Sequence, residues 1–358
     1  MQTDIAHFLA EASRSAPSAD NSQPLDFSWD GRQFLVSFSQ ARGAGKLFGP
    51  QSHPTLLALG ACLENIDDAL AACSARGTWS IDETISESGM PYARLNIGDA
   101  GAPQCASSDA PLFNRHTNRF PYEKSAIPRE VIAKVESVRR GSARVIVLDR
   151  TEEKKAMVDY IRIAAEARFS TKEIHQWMAD SLRFTATDVA CGEGLDIRTL
   201  YLPPGGRMFL RFIGEWARMN WLNRFGAFKA LASFEAALLS GAPSLLCIVG
   251  KSAPASVIDA GRLLARLWTD LNAERIAVHP YYVLTDQLLR LQLGKVPMGM
   301  IRRIEGTSRG VAHLLKTTRE ESLQMVLRIG YPRHSPPRSQ RLPLETVYTD
   351  LTRVQRPS

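Results

Sequence analysis

Two periodicities of apolar residues divide the chain into predicted strands and helices. The segment GRQFLVSFSQ (31–40) alternates apolar and polar residues, as a strand with one buried face does. From residue 54 to 75, apolar side chains recur at steps of three and four, which predicts a helix that stops at Gly77. The same criteria predict further helices over 2–13, across roughly 152–185 and over 257–275, and further strands at ARLNIG (93–98), ARVIVLD (143–149) and the apolar run PSLLCIVG (243–250).

Two loops interrupt this pattern. The loop SAPSADNSQPLDF follows the first helix and places Pro17, Asn21 and Pro24 among small polar residues. Its backbone is therefore predicted to be extended and turned, with amide groups able to meet a ligand. The stretch DAGAPQCASSDAP (99–111) is also loop-like, and we place a boundary there between two halves, 1–108 and 109–358.

The two long helices of these halves share a pattern. Shifting 257–275 back by 201 positions superimposes Gly261 on Gly60, and Leu264, Leu267, Leu271 and Ala273 on apolar residues of the first helix. Each helix precedes a loop and a strand candidate. An internal repeat would produce this match, but any two core helices share leucine spacing, so the match alone leaves both explanations open.

Residues 200–235 are crowded with aromatic side chains. Phe209, Phe212, Trp216, Trp221 and Phe225 recur at helical spacing, which is typical of a core helix. The alternative is a lid over a bound ligand, with Arg207 and Arg211 holding it by charge to an acidic surface.

Composition limits the class of protein. The 358 residues carry 44 Lys and Arg against 37 Asp and Glu, a net charge of +7, without a basic run long enough to suggest nucleic acid. The cysteines are scattered without metal spacing and are read as reduced core residues of a cytoplasmic protein: Cys62, Cys73, Cys105, Cys191 and Cys247. The start resembles no signal peptide, and the run 234–250 is too short and interrupted to span a membrane. ACGEGLD (190–196) lacks the third glycine of a dinucleotide fingerprint and predicts a turn.

The segment RHTNR (115–119) is the strongest candidate for an anion site. If it forms one helical turn, Arg115 and Arg119 project to the same side, with donors from His116 and Thr117 between them. That arrangement suits a phosphate, or a delocalised anion such as the N1/O2 edge of a reduced flavin. A surface arginine pair that bridges to acids is the alternative.

Together with APSADNSQP (16–24) and GYPRHSPPRSQRLPLE (330–345), RHTNRF resembles the nitroreductase family of FMN-dependent flavoproteins. The resemblance implies an α+β nitroreductase-like fold and FMN as cofactor. It implies that Arg115, His116, Thr117 and Arg119 clamp the phosphate, the ribityl chain and the N1/O2 edge. It further implies that Arg338 and Arg341 reach the phosphate, and that Pro17, Ser18 and Asn21 lie against the ring. At HPYYV, Tyr282 and Val283 are the implied donors of a backbone N–H to flavin N5.

The order of the motifs departs from the family pattern, in which the arginine motif precedes APS within one subunit. Here APSADNSQP opens the first half and RHTNR opens the second. The chain therefore resembles a duplicated, single-chain branch of the family, the Acg type, in which two pseudo-equivalent halves form a fused pseudo-dimer. One complete site is then expected, with a monomer or a weak homodimer as the assembly.

The resemblance implies an FMN-dependent oxidoreductase without a catalytic side chain or a metal, in which the flavin carries the chemistry. The expected partners are NAD(P)H and a small electron-poor acceptor, such as a quinone or nitroaromatic, or a small metabolite that is oxidised. Neither nucleic acid nor a membrane is expected as a partner. The alternative is a protein that stores or sequesters FMN beneath a lid formed by 200–235, with low turnover.

Overall fold

Two five-stranded sheets organise the chain in the computed structural model, which describes residues 2–43, 45–82, 90–98 and 110–354. The strands of the first sheet are β1 (Leu25–Trp29), β2 (Gln33–Phe38), β3 (Gly77–Ile81), β4 (Ala93–Ile97) and β12 (Tyr348–Asp350). Those of the second are β5 (Arg139–Arg140), β6 (Ala143–Leu148), β9 (Ser244–Lys251), β10 (Ala277–Tyr281) and β11 (Glu321–Gly330). A separate short pair joins β7 (Leu182–Arg183) to β8 (Leu195–Asp196). The fold is α+β.

The helices lie between and around these sheets. In chain order they are α1 (Gln2–Arg14), α2 (Gln40–Gly43), α3 (His53–Ala72), α4 (Pro111–Asn114), α5 (Arg129–Ser137), α6 (Thr151–Phe169), α7 (Lys172–Ser181), α8 (Ala186–Ala190), α9 (Gly206–Ile213), α10 (Trp216–Asn223), α11 (Ala227–Ser240), α12 (Pro254–Ala273), α13 (Val283–Gln292), α14 (Ile301–Leu315), α15 (Leu344–Val347) and α16 (Leu351–Val354). Short 3-10 turns cover Ala19–Asn21, Ile197–Thr199 and Met298–Met300.

The two sheets repeat one strand order. The first sheet runs β12-β1-β2-β4-β3, and the second, read from its other edge, runs β5-β6-β9-β11-β10. In each sheet the long helix, α3 or α12, follows the second of the four shared strands. The neighbouring pairs among those four strands are antiparallel in both sheets. The outer strand differs, because β12 pairs in parallel with β1 whereas β5 pairs antiparallel with β6.

Burial explains why the two sheets have different sequence patterns. β1 and β2 alternate buried and partly exposed residues, as strands with one covered face do. β9 is buried along nearly its whole length, because one hydrophobic core covers one face and a second core, with α6 and α11, covers the other. The alternation in GRQFLVSFSQ therefore reflects a strand with one covered face, and the continuous apolar run PSLLCIVG reflects a strand with both faces covered.

The helices α3 and α12 cross at close range between the sheets, and both contribute to the first core. Their approach depends on Gly60 and Gly261, where an added Cβ would meet a backbone oxygen of the opposite helix. Close backbone approach is a position at which glycine is required. These are the two glycines that the shift of 201 superimposes.

Most elements predicted from periodicity are confirmed within a few residues, including α1, α3, β2, β6 and α12. The strands β1, β3 and β11 were not predicted, and Gly77 begins β3 instead of only ending a helix. The proposed boundary between the halves, at 108 and 109, lies outside the described residues. The C-terminal part also crosses back, since β12 belongs to the first sheet.

The cysteines follow the prediction with one exception. Cys62, Cys73 and Cys247 are buried free thiols, whereas Cys191 is exposed, so its assignment to the core was wrong. Cys105 lies outside the described residues. In the part of the chain that the structure describes, no helix combines the length and apolarity needed to cross a bilayer.

Candidate functional site

The APSADNSQP loop has a fixed, strained shape. Asp20, Asn21 and Gln23 have positive φ values of 47°, 59° and 48°. Asn and Asp tolerate this left-handed region better than other side chains do, because their short polar groups bond locally. The Ser18 Oγ accepts a hydrogen bond from the Gln23 backbone N–H at 2.9 Å, which closes the turn. Pro17 and Ser18 are half-buried on its outer side.

Side chains of this loop bind backbone groups that are distant in sequence. The Asn21 amide donates to the carbonyl of Gln340 at 2.9 Å and to that of Gly192 at 3.3 Å. Gln23 donates to Gly192 O at 2.9 Å and accepts from Leu342 N at 3.0 Å. Gly192 has a φ of 80°, and its ACGEGLD segment forms the predicted turn. Both donors of Asn21 are thus committed to the protein, so its predicted hydrogen bond to a ring must use its oxygen.

The RHTNR segment is extended, and the prediction of a helical turn was wrong. Thr117 forms a parallel bridge with Val278 of β10, and Asn118 N donates to Val278 O at 3.0 Å. The segment behaves as a short extra strand at the edge of the second sheet, so tertiary pairing overrides the local spacing. Four residues of extended chain span roughly 13 Å, so Arg115 and Arg119 occupy well-separated positions.

Arg115 is a buried cation without a carboxylate partner among the described residues. Its side chain is 8% exposed, donates through Nη2 to Ser15 O at 2.6 Å, and lies over the Trp268 ring at 4.6 Å. Its Nε is buried without a hydrogen-bond partner. Burial, followed by the neighbouring Arg341 guanidinium, lowers the pKa of Arg115. An anion bound here would compensate the buried charge of Arg115 and offset its repulsion from Arg341.

Arg341 extends this positive charge. It donates through Nη2 to Ser15 O at 3.2 Å, the carbonyl that Arg115 uses, and through Nη1 to Asn21 Oδ1. Burial and then the charge of Arg14 lower the pKa of Arg341. Asn21 thus joins the loop to the predicted phosphate-binding arginine.

Arg338 and His116 lie on the exposed side of the same group. Arg338 donates to Phe113 O at 3.1 Å and to Asn114 Oδ1 at 3.3 Å. Burial lowers the pKa of His116, and the charges of Arg338 and Arg115 lower it further. We call these five side chains the cation cluster: Arg14, Arg115, His116, Arg338 and Arg341. Within the described residues, the carboxylate that pairs with the cluster is Glu11, at 2.6 Å from Arg14.

The helix α12 fixes the backbone that carries Arg115. Asn272 Oδ1 accepts from His116 N at 2.9 Å, and Trp268 Nε1 donates to His116 O at 3.0 Å. Sequence reasoning missed both residues because it used only the leucine spacing of this helix. It also missed Arg14 and Ser15, although they directly precede the APS motif.

Arg119 points away from the cation cluster. Its Nη1 lies 3.4 Å from Thr199 Oγ1, and burial lowers its pKa while the charge of Asp20 opposes that shift. Arg328, fully buried on β11, donates to Phe120 O at 2.7 Å and to Asn118 O at 3.2 Å. Arg328 thereby holds the backbone on both sides of Arg119. The motif search did not single out Arg328, because it stands in the unpredicted strand β11.

Tyr282 and Val283 form the beginning of α13, where backbone N–H groups lack helical partners. The Tyr282 ring stacks on His53, the first residue of α3, with centroids 5.5 Å apart. His53 Nδ1 lies 3.2 Å from Tyr282 Oη, and its Nε2 lies 2.6 Å from Gln324 Oε1. Burial, partly offset by the Gln324 hydrogen bond, lowers the pKa of His53 to about 4. This trio joins the beginning of α3 to β11 and α13, and sequence reasoning did not find His53.

The aromatic segment is not the core that its spacing suggested. Phe209, Phe212, Trp221 and Phe225 are exposed, whereas Trp216 is half-buried and packs against His175. Arg207 donates to the Phe184 carbonyl and Arg211 lies over the Phe184 ring, and neither forms an ion pair with an acid in the described part of the chain. The Tyr201 ring contacts the ring of Phe120, the residue that follows RHTNR, with centroids 5.9 Å apart.

No protein-family model matches the chain, and no curated protein matches it. Among solved structures, two thirds of the chain resembles FMN nitroreductases and an iodotyrosine deiodinase. The nitroreductase NfnB of Sphigopyxis sp. strain HMH is 18% identical with a TM-score of 0.37, over 67% of this chain and 97% of that one. NfnB of Mycobacterium smegmatis, solved with NADPH, is 14% identical with a TM-score of 0.35, over 70% and 97%.

The iodotyrosine deiodinase, bound to FMN and 3-iodo-L-tyrosine, is 17% identical with a TM-score of 0.35, over 65% of this chain and 94% of that one.

Proposed function

We propose that this chain binds one FMN between the cation cluster and the APSADNSQP loop and acts as an NAD(P)H-dependent oxidoreductase. The observation that carries the proposal is Arg115, a buried guanidinium whose Nε has no partner and which has no carboxylate beside it among the described residues. Arg341 crowds a second positive charge against it. Two such cations in one buried place favour a ligand that brings at least one negative charge.

The residues present fit FMN. Arg115 and Arg341, with the more exposed Arg338 and His116, would hold the phosphate, as the family resemblance implies. Arg119 stands roughly 13 Å along the extended segment, far enough to meet the other end of an elongated ligand. A group with a phosphate at one end and a delocalised, anion-forming ring edge at the other suits that separation.

We further propose that the chain is a fused pseudo-dimer with a single site. Support comes from the repeated strand order of the two sheets and from the paired glycines of α3 and α12. The shift that pairs Gly261 with Gly60 also pairs Trp268, beside Arg115, with Asp67. Asp67 accepts from Trp79 and pairs with Arg262, so the corresponding place in the first half carries a carboxylate.

The neighbouring Glu64 reinforces this difference. It is buried and lies between Arg140, at 2.6 Å, and Arg262, at 3.3 Å. Arg140 and Arg262 are thus paired with acids of α3, whereas Arg115, beside Trp268, has no carboxylate partner among the described residues. The uncompensated charge of Arg115 would attract an anionic cofactor, and the neutral place beside Asp67 would not.

In this mechanism FMN, when bound, supplies the electron-transfer chemistry between the nicotinamide and the acceptor. The protein supplies position and charge. Arg119 would stabilise negative charge at the ring edge, and Arg328 would keep its backbone in place. The first N–H groups of α13, at Tyr282 and Val283, would offer a backbone donor. A quinone or nitroaromatic acceptor, or a small metabolite that is oxidised, fits this arrangement.

The structure does not favour the storage alternative. A lid would require the aromatic side chains of 200–235 to cover the site, but Trp221 and Phe225 are exposed and contact each other. In the described chain, the ring contact between this segment and the RHTNR region is that of Tyr201 with Phe120.

Purified full-length protein tests the proposal directly. The flavin is released by heat and identified by chromatography, and the holoprotein is mixed anaerobically with NADH or NADPH in a stopped-flow instrument. We expect FMN, loss of the visible absorbance of the oxidised flavin on addition of the nicotinamide, and recovery of that absorbance when a quinone is added. Protein that binds no FMN refutes the cofactor assignment, and protein that binds FMN without reduction refutes the oxidoreductase assignment.

A further inference from the structure

Exposed apolar side chains are concentrated on one segment of this protein. Met208 is 79% exposed, Phe225 75%, Trp221 54% and Phe212 47%. Seven of the ten large apolar side chains that are exposed in the described part of the chain lie between Tyr201 and Phe234. Single exposed apolar residues are ordinary, whereas a concentration of them marks an interaction surface.

These side chains form one surface across two helices. Met208 and Phe212 are four residues apart on α9, and therefore lie on the same face. The Arg218 guanidinium of α10 lies over the Phe212 ring at 5.2 Å, which joins the two helices. Trp221 and Phe225 contact each other with centroids 5.2 Å apart. We call this surface the α9–α10 face: Met208, Phe209, Phe212, Trp221 and Phe225.

Basic residues accompany the α9–α10 face. Between residues 201 and 235 all the cationic side chains are exposed: Arg207, Arg211, Arg218, Arg224 and Lys229. The same range contains two acidic residues, Glu215 and Glu235. Glu215 pairs with Arg218 at 2.9 Å, and Glu235 pairs with Arg168 of α6. The surface therefore combines apolar side chains with a net excess of positive charge.

We propose that the α9–α10 face binds the surface of an anionic lipid bilayer. Aromatic and aliphatic side chains on one face of a short helix, with arginines beside them, are the features of a helix that lies in the membrane interface. The arginines would meet lipid phosphates while Trp221 and the phenylalanines enter the headgroup boundary. The sequence led us to expect no membrane partner because no span is long enough, but surface binding requires no span.

The charge of this face favours an anionic bilayer over a second copy of the chain as its occupant. Two copies joined through this face would bring Arg207, Arg211 and Arg218 of each against those of the other. Like charges placed together across an interface are unfavourable. An anionic bilayer matches the same charges, so it is the occupant that the face fits best.

Co-sedimentation of the full-length protein with vesicles tests the proposal. Binding is measured on phosphatidylcholine vesicles with and without about a third of phosphatidylglycerol, at low and high salt. We expect binding to the anionic vesicles only, weakened by salt. The double variant Phe212→Ser, Phe225→Ser should weaken binding by about tenfold or more, because both side chains partition into the interface.

The control variant is Leu293→Ser, Met298→Ser, which removes two exposed apolar side chains outside this segment and should bind as the parent does. Circular dichroism confirms that each variant is folded. Equal binding by both double variants, or no binding to anionic vesicles, overturns the proposal. Self-association in light scattering that disappears in Phe212→Ser, Phe225→Ser overturns it in favour of an interface between copies.

Discussion

Gly60 and Gly261 face each other where α3 and α12 cross. A Cβ on Gly60 would lie 2.9 Å from the Gly261 Cα and 2.0 Å from the Ile258 carbonyl oxygen. A Cβ on Gly261 would lie 2.2 Å from the Leu57 carbonyl oxygen. The atoms in the way are backbone, so they cannot move aside as a flexible side chain would. Each of the two long helices thus contributes one glycine to their contact.

This contact predicts a large cost for a small substitution. Gly261→Ala should lower the free energy of unfolding by about 1–3 kcal/mol, because the helices must separate to admit the methyl group. Urea denaturation monitored by circular dichroism measures it. Gly306→Ala is the matched control: Gly306 lies on the exposed side of α14, and its Cβ would meet nothing within 4 Å. That control should be neutral or should stabilise by about 0.5–1 kcal/mol. Equal results for the two variants would show that the crossing is loose.

Arg115 predicts opposite effects on stability and on cofactor binding. Arg115→Met removes a buried cation without a carboxylate partner, so FMN-free protein should be as stable as the parent or more stable, by up to about 4 kcal/mol. FMN affinity should fall by about 2–4 kcal/mol in the same variant. Unfolding in urea and quenching of flavin fluorescence measure the two quantities. Arg119→Ala should weaken FMN by a similar amount.

The control for these variants is Arg150→Ala, which removes the same charge from a side chain that is almost fully exposed. Arg150→Ala should change neither the free energy of unfolding nor the affinity for FMN appreciably. If Arg115→Met retains full FMN affinity, the cation cluster is a surface and packing feature and the FMN site lies elsewhere.

The ion-paired acids of α3, Glu64 and Asp67, predict a stoichiometry of one FMN per chain. A fluorimetric titration of flavin-free protein should saturate at one equivalent, and light scattering should find flavin on the monomer. Two equivalent sites would contradict the single-site pseudo-dimer. Loss of flavin on dilution to monomer would show that two chains share a site.

His53 predicts a specific dependence of stability on pH. Its pKa is about 4 in the folded protein and about 6.5 in an unfolded chain. Below pH 6.5 the unfolded state binds the proton and the folded state does not, so this histidine reduces stability as pH falls from 6.5 to 4. The reduction amounts to about 3 kcal/mol by pH 4.

The pH dependence of the parent's stability also contains a contribution of opposite sign from Asp68. Comparing the free energy of unfolding of the parent with that of His53→Gln therefore isolates the contribution of His53. Burial and then the charge of Glu64 raise the pKa of Asp68 to about 6, so Asp68 favours the folded state at acidic pH. The free energy of unfolding of His53→Gln, relative to the parent, should rise as pH falls from 7 to 4. A difference that does not vary with pH would show that His53 accepts its proton in the folded protein.

The elements that were predicted well from the sequence are those whose apolar residues recur at one regular spacing or form one continuous run. β2 alternates because one face is covered, and α3 and α12 carry apolar stripes because they pack on each other and on the sheets. β11 was missed because it combines an apolar run with the buried polar residues Gln324 and Arg328. Both have tertiary partners, and local sequence carries no signal of them.

The candidate site, like the fold, was predicted from the sequence only in part. Its arginines and the APS loop were predicted from motifs, and the structure brings Arg115, Arg341 and Asn21 together. The extended conformation of RHTNR could not be predicted locally, because it depends on the bridge between Thr117 and Val278. The spacing of the aromatic segment shows that its helices are amphipathic, but it cannot show whether anything covers the second face.

The parallel pairing of β12 with β1 constrains the order in which the protein can fold during synthesis. Phe27 lies opposite Tyr348 in that ladder, so the outer strand of the first sheet is translated long after its partner β1. Domains usually fold as they emerge, N-terminal part first. Here the edge of β1 stays open until β12 has left the ribosome. An unpaired strand edge can pair with other chains, so the newly made first half is the stage most exposed to aggregation, and we expect chaperones to act there.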